Sequence, residues 1–240
     1  MACHQRSASV PSLPYSIESN VEEELQILKA CISSPSATID TACDGLRRLG
    51  DVYSSVEDMM CLPSNQVGLS LARQRKTVEE ELDRSLELID LCNSVQENLA
   101  ELKMCVRDLR LVLKRGDDAA AQLRIESFVR LAKKAQKPFK KTSSKAGDEG
   151  CRLVQIMAGA RETTVSLLET TSRLLPKQIG SPSASKWSLV SKRFQRRKVV
   201  CEELQLRALE RSMGDLEGGV EFLFRRLIQS RVSLLNILSS

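Results

Sequence analysis

Histidine is all but absent from this chain: His4 is the only one in 240 residues. Catalytic triads, Cys–His nucleophiles, histidine proton shuttles and histidine metal centres each need an imidazole held among fixed partners, so all are disfavoured. Aromatic residues are scarce, with one Trp, two Tyr and five Phe, and there are only 11 Gly and 7 Pro. Sandwiches and barrels need aromatic and β-branched strands joined by many turns, which this composition does not supply. No G-x-G-x-x-G or G-K-[ST] phosphate loop occurs, so the common nucleotide-binding signatures are missing. Long apolar runs are missing too. The longest uncharged stretch, 59–72, has fourteen residues and is broken by Pro63, whereas a membrane-spanning helix needs about 20.

The eight cysteines form no C-x-x-C pair, which argues against a zinc or thioredoxin-like site. Several fall on apolar stripes: Cys92 lies three residues from both Ile89 and Val95, and Cys43 lies between Ile39 and Leu46. They are expected to be small, reduced core residues in a reducing compartment. No catalytic residue, metal or cofactor is expected, and the chain reads as non-enzymatic. Carboxylate runs such as Glu79-Glu80-Glu81 and Asp117-Asp118 join no visible nucleophile or base, and placement near helix N-termini accounts for them.

What is present is helical periodicity. A first helix is expected over 21–32, with Glu22, Glu23 and Glu24 in its first turn. A second is expected over 37–61, on the stripe Ile39, Cys43, Leu46, Leu49, Tyr53, Val56 and Met60, weakened at Gly45 and Gly50 and ended by Pro63. The third is the strongest. Val78, Leu82, Leu86, Ile89, Cys92, Val95, Leu99, Leu102, Val106, Leu109 and Leu113 recur at steps of three and four, which predicts a helix over 74–114 ended by Gly116. Asp117 should cap a fourth helix with Ala121, Ile125, Phe128, Ala132 and Ala135 inward, up to Pro138. A fifth should follow the hinge 142–150 and run to 174. Its inward stripe is interrupted by Arg161, expected as a snorkelling edge residue. The last pattern starts near Trp187 and carries Leu209, Met213, Leu216, Val220, Leu223, Leu227, Leu234 and Leu238, with Gly218-Gly219 as a place to bend or break. Phe222, Phe224, Ile228, Leu235 and Ile237 lie off that stripe and need cover, by default from the bundle itself and otherwise from a second copy or a membrane.

The expected fold is all-α: an elongated bundle of about six helices with long coiled-coil-like members and a disordered N-terminal tail. The expected divisions are a tail at 1–18, a bundle at 19–175, a linker at 176–185 and, at 186–240, a C-terminal long helix or helix pair packing on the bundle.

Charge is unevenly placed around a formal net of +5. Residues 79–101 carry eight acids against one base, 103–145 carry thirteen bases against four acids, and 186–198 carry six bases and no acid. Each block reads first as a solvated helix face and second as a meeting point for an oppositely charged partner.

Three stretches stand out as interaction candidates. The tail reads RSASVP, which places Arg6 three residues before Ser9 and Pro11 two after it, with Ser7 between. Phosphate on Ser9 would give 14-3-3 proteins a charge for their arginine cluster to clamp, and the arginine suits a basophilic kinase. A Ser-rich tail with no reader is weighed equally. Residues 186–200 form a basic amphipathic stretch. Trp187, Phe194 and Val200 hold the anchor spacing of one class of calmodulin targets, among Lys192, Arg193, Arg196, Arg197 and Lys198. The same pattern suits a helix lying on an anionic membrane, or simply the start of a packed helix. The third is the lysine cluster around Pro138-Phe139, from Lys133 to Lys145. It has neither stacking aromatics nor a reading motif, so nucleic-acid binding is not expected.

Several segments resemble the plant-specific BYPASS-like family: CDGLRRLGDVYSSVEDMMCLPSNQ (43–66), ELDRSLELIDLCNSVQ (81–96), LRLVLKRGDD (109–118), KWSLVSKRFQ (186–195) and the ending FLFRRLIQSRVSLLNILS (222–239). HQRSASVPSLP (4–14) is similar to the family's Ser-rich start. The resemblance implies a role in root and shoot development, with founding members linked to restraint of a mobile root-derived signal. It brings no catalytic residue set, cofactor or ligand. The expectation is a cytoplasmic, non-enzymatic regulatory or interaction protein. The alternative is a peripheral membrane protein held by 186–200, with Cys3 available for palmitoylation; Ala2 excludes myristoylation. An acid-free, Ser-rich start weakly resembles a transit peptide, but Arg6 is its one arginine, so a plain tail is preferred. Homo-oligomerisation through the long seam and an intramolecular bundle use the same pattern, and both stay open.

Overall fold

The computed structural model describes residues 14–141, 151–179 and 192–239, with side chains at 17–139, 151–179 and 203–239. Every regular element among them is a helix: α1 Pro14–Ser33, α2 Ile39–Met60, α3 Pro63–Ser70, α4 Ala72–Arg115, α5 Asp118–Lys134, a 3-10 turn at Pro138–Lys141, α6 Arg152–Leu174, α7 Pro176–Ile179 and α8 Lys192–Ser239. The all-α expectation holds. At 1.5 Å per residue, the 44 residues of α4 span about 66 Å and the 48 of α8 about 72 Å, so the molecule is long.

Local chemistry sets the boundaries. Thr38 and Thr41 form a reciprocal capping box at the start of α2, with Thr41 N–H donating to Thr38 Oγ1 at 3.2 Å. Gly116 adopts φ 72° after Lys114 and Arg115, the left-handed stop that closes α4. Asp117 Oδ1 then accepts from Ala120 N–H at 2.9 Å and opens α5, as its position in the sequence suggests.

α8 packs against both α4 and α2, α6 lies on α2 and α4 as well, α1 covers α2 and α6, and α5 covers α4. The core is one continuous aliphatic cluster. Leu46, Leu49 and Val56 of α2, Cys92, Leu102 and Val106 of α4, Leu167 and Leu168 of α6, and Met213, Leu216, Val220 and Leu223 of α8 are all fully buried. Removing such a side chain to Ala costs about 2–5 kcal/mol.

Several expectations need correction. α1 begins at Pro14, so residues 14–18 are helical rather than tail. Glu22 and Glu24 therefore sit in mid-helix and make tertiary pairs: Arg152 Nη2 donates to Glu22 Oε2 at 2.9 Å and Arg48 Nε to Glu24 Oε1 at 2.6 Å. Pro63 does more than stop α2. It takes the first position of α3, where its missing N–H costs nothing. Glu79–Glu81 lie in the third turn of α4, not at its N-terminus. Leu86 is 48% exposed, and Leu88 and Leu91 are buried in its place. Gly218 and Gly219 do not break α8, which runs through both. Gly219 faces Leu46, and on the other side of the same crossing the Phe222 ring fills the space a Cβ on Gly50 would need. The glycines let α2 and α8 approach closely. Off the main stripe of α8, Ile237 is buried, Phe222 and Phe224 are half-buried, and Ile228 and Leu235 stay exposed at 40% and 44%. Among the cysteines, Cys92 and Cys105 are buried and Cys61 is exposed; the six with described side chains are free thiols.

Candidate functional site

A knot of buried polar groups lies where α2, α4 and α6 meet. Arg161 stands on the inward face of α6 and is 7% exposed, so it is no snorkelling edge residue. Its Nε lies 3.5 Å from Oε2 of Glu81, itself 4% exposed, and Nε and Nη2 have no hydrogen-bond acceptor. Arg84 Nη1 donates to the other oxygen of Glu81 at 2.7 Å, and Arg84 also reaches Glu80. Beside them the Tyr53 hydroxyl lies 3.2 Å from Thr164 Oγ1, which donates in turn to the Ala160 carbonyl. Burial pushes the Tyr53 hydroxyl well above the ordinary tyrosine range, against a smaller opposing pull from the Thr164 bond. Burial alone pushes the neighbouring Cys92 thiol up to about 12. Both groups are therefore protonated at neutral pH. A protonated thiol and a protonated phenol are poor nucleophiles, and the knot's role is to tie three helices together.

A second charged array joins α4 to α8. Lys103 pairs with Glu217, Arg107 and Arg110 with Glu210, and Arg110 and Lys114 with Glu203. The three glutamates are spaced seven apart, and Lys103 and Arg110 are seven apart in the opposite direction. Two antiparallel helices are thus laddered by ion pairs at heptad spacing. The Arg107 guanidinium, with Arg110 behind it, holds the Glu210 carboxyl below the usual range despite its partial burial. These bases belong to the block 103–145, read from sequence as a solvated face; here they are spent on a neighbouring helix. The described pairs reach Glu203, opposite the last turn of α4, and α8 starts eleven residues earlier at Lys192. At 1.5 Å per residue that is about 16 Å of additional helix.

Of the candidate interaction residues, Lys192, Arg193, Phe194, Arg196, Arg197, Lys198 and Val200 lie on this first part of α8. Trp187, and Arg6, Ser7, Ser9 and Pro11 of the tail, lie outside the described residues. From the lysine cluster, Lys133, Lys134 and Lys137 are exposed on or just after α5 and line an open groove of about 720 Å³ together with Ile125, Val129 and Arg130. Sequence reasoning missed the Glu81–Arg161 pair, although Arg161 in line with an apolar stripe was a visible sign. It also missed the ladder, whose seven-residue spacing was equally visible. Among the described residues, no helix is long and apolar enough to cross a membrane, and no group of His, Cys, Asp and Glu is placed to hold a metal.

A family model described as Protein BPS1 matches residues 45–205 and 196–237, which together cover most of the chain. No curated protein and no solved structure matches significantly.

Proposed function

Because the chain belongs to the BPS1 family, the BYPASS-like family its segments resemble, we propose that it is a non-enzymatic regulatory protein of plant root and shoot development that works by binding partners through its helical surfaces. The developmental part of this reading comes from the resemblance. The non-catalytic part is supported by the residue inventory, with His4 the only imidazole, and by the protonated state of the buried Tyr53 and Cys92. The observation that carries the binding mode is the start of α8. The helix begins eleven residues before Glu203, which makes the first described ion pair with α4, and this stretch holds five of the six bases in 186–198 and no acid before Glu202. A helix start of this basic composition suits an acidic groove on a protein partner, with the calmodulin-like spacing of Trp187, Phe194 and Val200 as its anchors.

The test compares the full-length protein with a Trp187→Ala, Phe194→Ala variant in two assays. One is calcium-dependent binding to calmodulin; the other is co-sedimentation with phosphatidylserine vesicles at low salt and at about 0.15 M, where the Debye length is near 8 Å. Calcium-dependent binding that the variant loses, with no pelleting at the higher salt, supports the protein-partner reading. Pelleting that survives salt and is lost in the variant moves the function to a membrane surface. If neither is seen, the start of α8 is not the recognition segment.

A further inference from the structure

α5 presents a face that none of the described residues covers. Arg130, Lys133 and Lys137 are exposed along a groove floored by half-buried Ile125 and Val129, with Glu126 the one acid on it. Phe128 and Ala132, on the other side of the same helix, are fully buried. Bases on a rim above recessed apolar side chains match an acidic helix whose own apolar residues reach down between them. They do not match a bilayer, which is flat and meets protruding rather than recessed side chains.

The rest of this chain's undescribed length supplies no such occupant. Residues 1–13 and 180–191 contain no acid, and 142–150 contain only Asp148 and Glu149. The matching surface is on α4. Asp83, Glu87 and Asp90 are exposed there, with Leu86 among them at 48% exposure. None of these three acids, nor Arg130 or Lys133, has an ion-pair partner among the described residues. The acids also lie on the correct side. α5 packs on the strip of α4 that holds Cys105 and Asp108, where Cys105 Sγ meets the Arg124 carbonyl at 3.4 Å and Asp108 meets Arg124 at 3.6 Å. Glu87 and Asp90 precede Cys105 and Asp108 by eighteen residues each, which is five whole turns of 3.6. They continue the strip that α5 covers, past the point where α5 ends.

We infer that two copies of this chain associate by reciprocal docking, the acidic face of α4 around Leu86 in each copy seating on the basic face of α5 in the other. The two α5 helices then lie in one layer between the two α4 helices. A two-fold axis across that layer makes both contacts at once, so the assembly closes as a dimer and does not grow into a filament. This goes beyond the reading at the start of α8 and uses a different surface.

The experiment is sedimentation velocity on the full chain at tens of micromolar, at low and high salt. Three samples accompany the wild type: Arg130→Glu with Lys133→Glu, Asp83→Lys with Glu87→Lys, and an equimolar mixture of the two variants. Circular dichroism confirms that each is folded. The wild type is expected to be a dimer at low salt that weakens as salt rises. Each variant alone is expected to be a monomer, because both of its faces now carry one sign. The mixture is expected to recover the dimer, because the basic faces of one variant meet the acidic faces of the other. A wild type that is monomeric at low salt overturns the inference, as do variants that still dimerise or a mixture that stays monomeric. Should the wild type be monomeric yet pellet on phosphatidylserine vesicles in a manner that needs Arg130 and Lys133, the face is a lipid site and the dimer is wrong. Calmodulin or vesicle binding through Trp187 and Phe194 is read separately and survives either result.

Discussion

Two adjacent glycines in α8 should respond to alanine with opposite signs. Neither Gly218 nor Gly219 has positive φ, so alanine fits the backbone at both. Replacing glycine by alanine inside a helix gains about 1 kcal/mol from propensity alone. At Gly218 an added Cβ meets nothing within 4 Å, and Gly218→Ala should keep the whole gain. At Gly219 the Cβ lands 3.1 Å from both Cβ and Cδ1 of Leu46, a side chain with no exposed surface. Rotating Leu46 relieves the second contact but not the first, because its Cβ moves only with the backbone of α2. The helices must separate by a few tenths of an ångström over a core that is otherwise filled. Overpacking of this kind costs about 1–3 kcal/mol, so Gly219→Ala should be neutral to destabilising by about 2 kcal/mol. The difference between the variants is the overpacking term alone, since the propensity gain cancels. For a chain of this length 1 kcal/mol moves Tm by about 2–4 °C, which places the variants roughly 4–8 °C apart at the middle of the range. Thermal unfolding by circular dichroism, with urea melts to check that the slope is unchanged, measures it. Equal stabilisation by both substitutions would refute the close α2–α8 crossing.

The buried pair should be asymmetric: Glu81→Leu strands the Arg161 charge in the core and should cost about 3–5 kcal/mol, whereas Arg161→Met leaves Glu81 with Arg84 and should cost under about 2 kcal/mol, both by urea titration. The Glu210 carboxyl is held below its ordinary 4.5 by Arg107 and then Arg110. Its contribution is therefore present above the unfolded value and lost as pH falls through the folded one, so Tm should drop from about pH 5 downward and Glu210→Gln should flatten that drop. Among the six cysteines with described side chains, iodoacetamide at pH 8 followed by peptide mass spectrometry should label exposed Cys61 first, while Cys92, buried with its thiol pushed up to about 12, reacts only after unfolding.

The elements that sequence made legible are those whose signal is local. The run from Val78 to Leu113 carries its own period, and Gly116 and Asp117 stop and start helices by backbone conformation and a single side-chain bond. α3 was hidden because its eight residues hold only Val67 and Leu69 as large apolar side chains, too few to set a period, and Pro63 reads equally as an end and as a first residue. Leu86 was misplaced for a tertiary reason. The first half of α4 meets α3, α6 and α8, so its buried arc is wide enough to take in Leu88 and Leu91, and step counting does not show where that arc stops. Arg161 was misjudged because its partner lies eighty residues away on another helix, and nothing in the spacing of α6 announces a carboxylate opposite it.

The charge blocks teach the same point in a form that spacing does reveal. A basic run reads as a solvated face only while it is considered one helix at a time. Lys103, Arg110 and the bases between and after them recur in step with Glu203, Glu210 and Glu217 when α8 is read backwards, and that match is visible without coordinates. Salt and desolvation make each exposed pair worth little by itself, so the array sets the register and direction of α8 on α4 more than it stabilises the bundle. Once those bases are assigned, the acids from Asp83 to Asp90 and the bases from Arg130 to Lys137 remain as opposite charges without a described ion pair. Within one molecule they are displaced along α4 by several turns. A second copy, turned over, removes that displacement, by the same logic of antiparallel matching that seats α8 on α4.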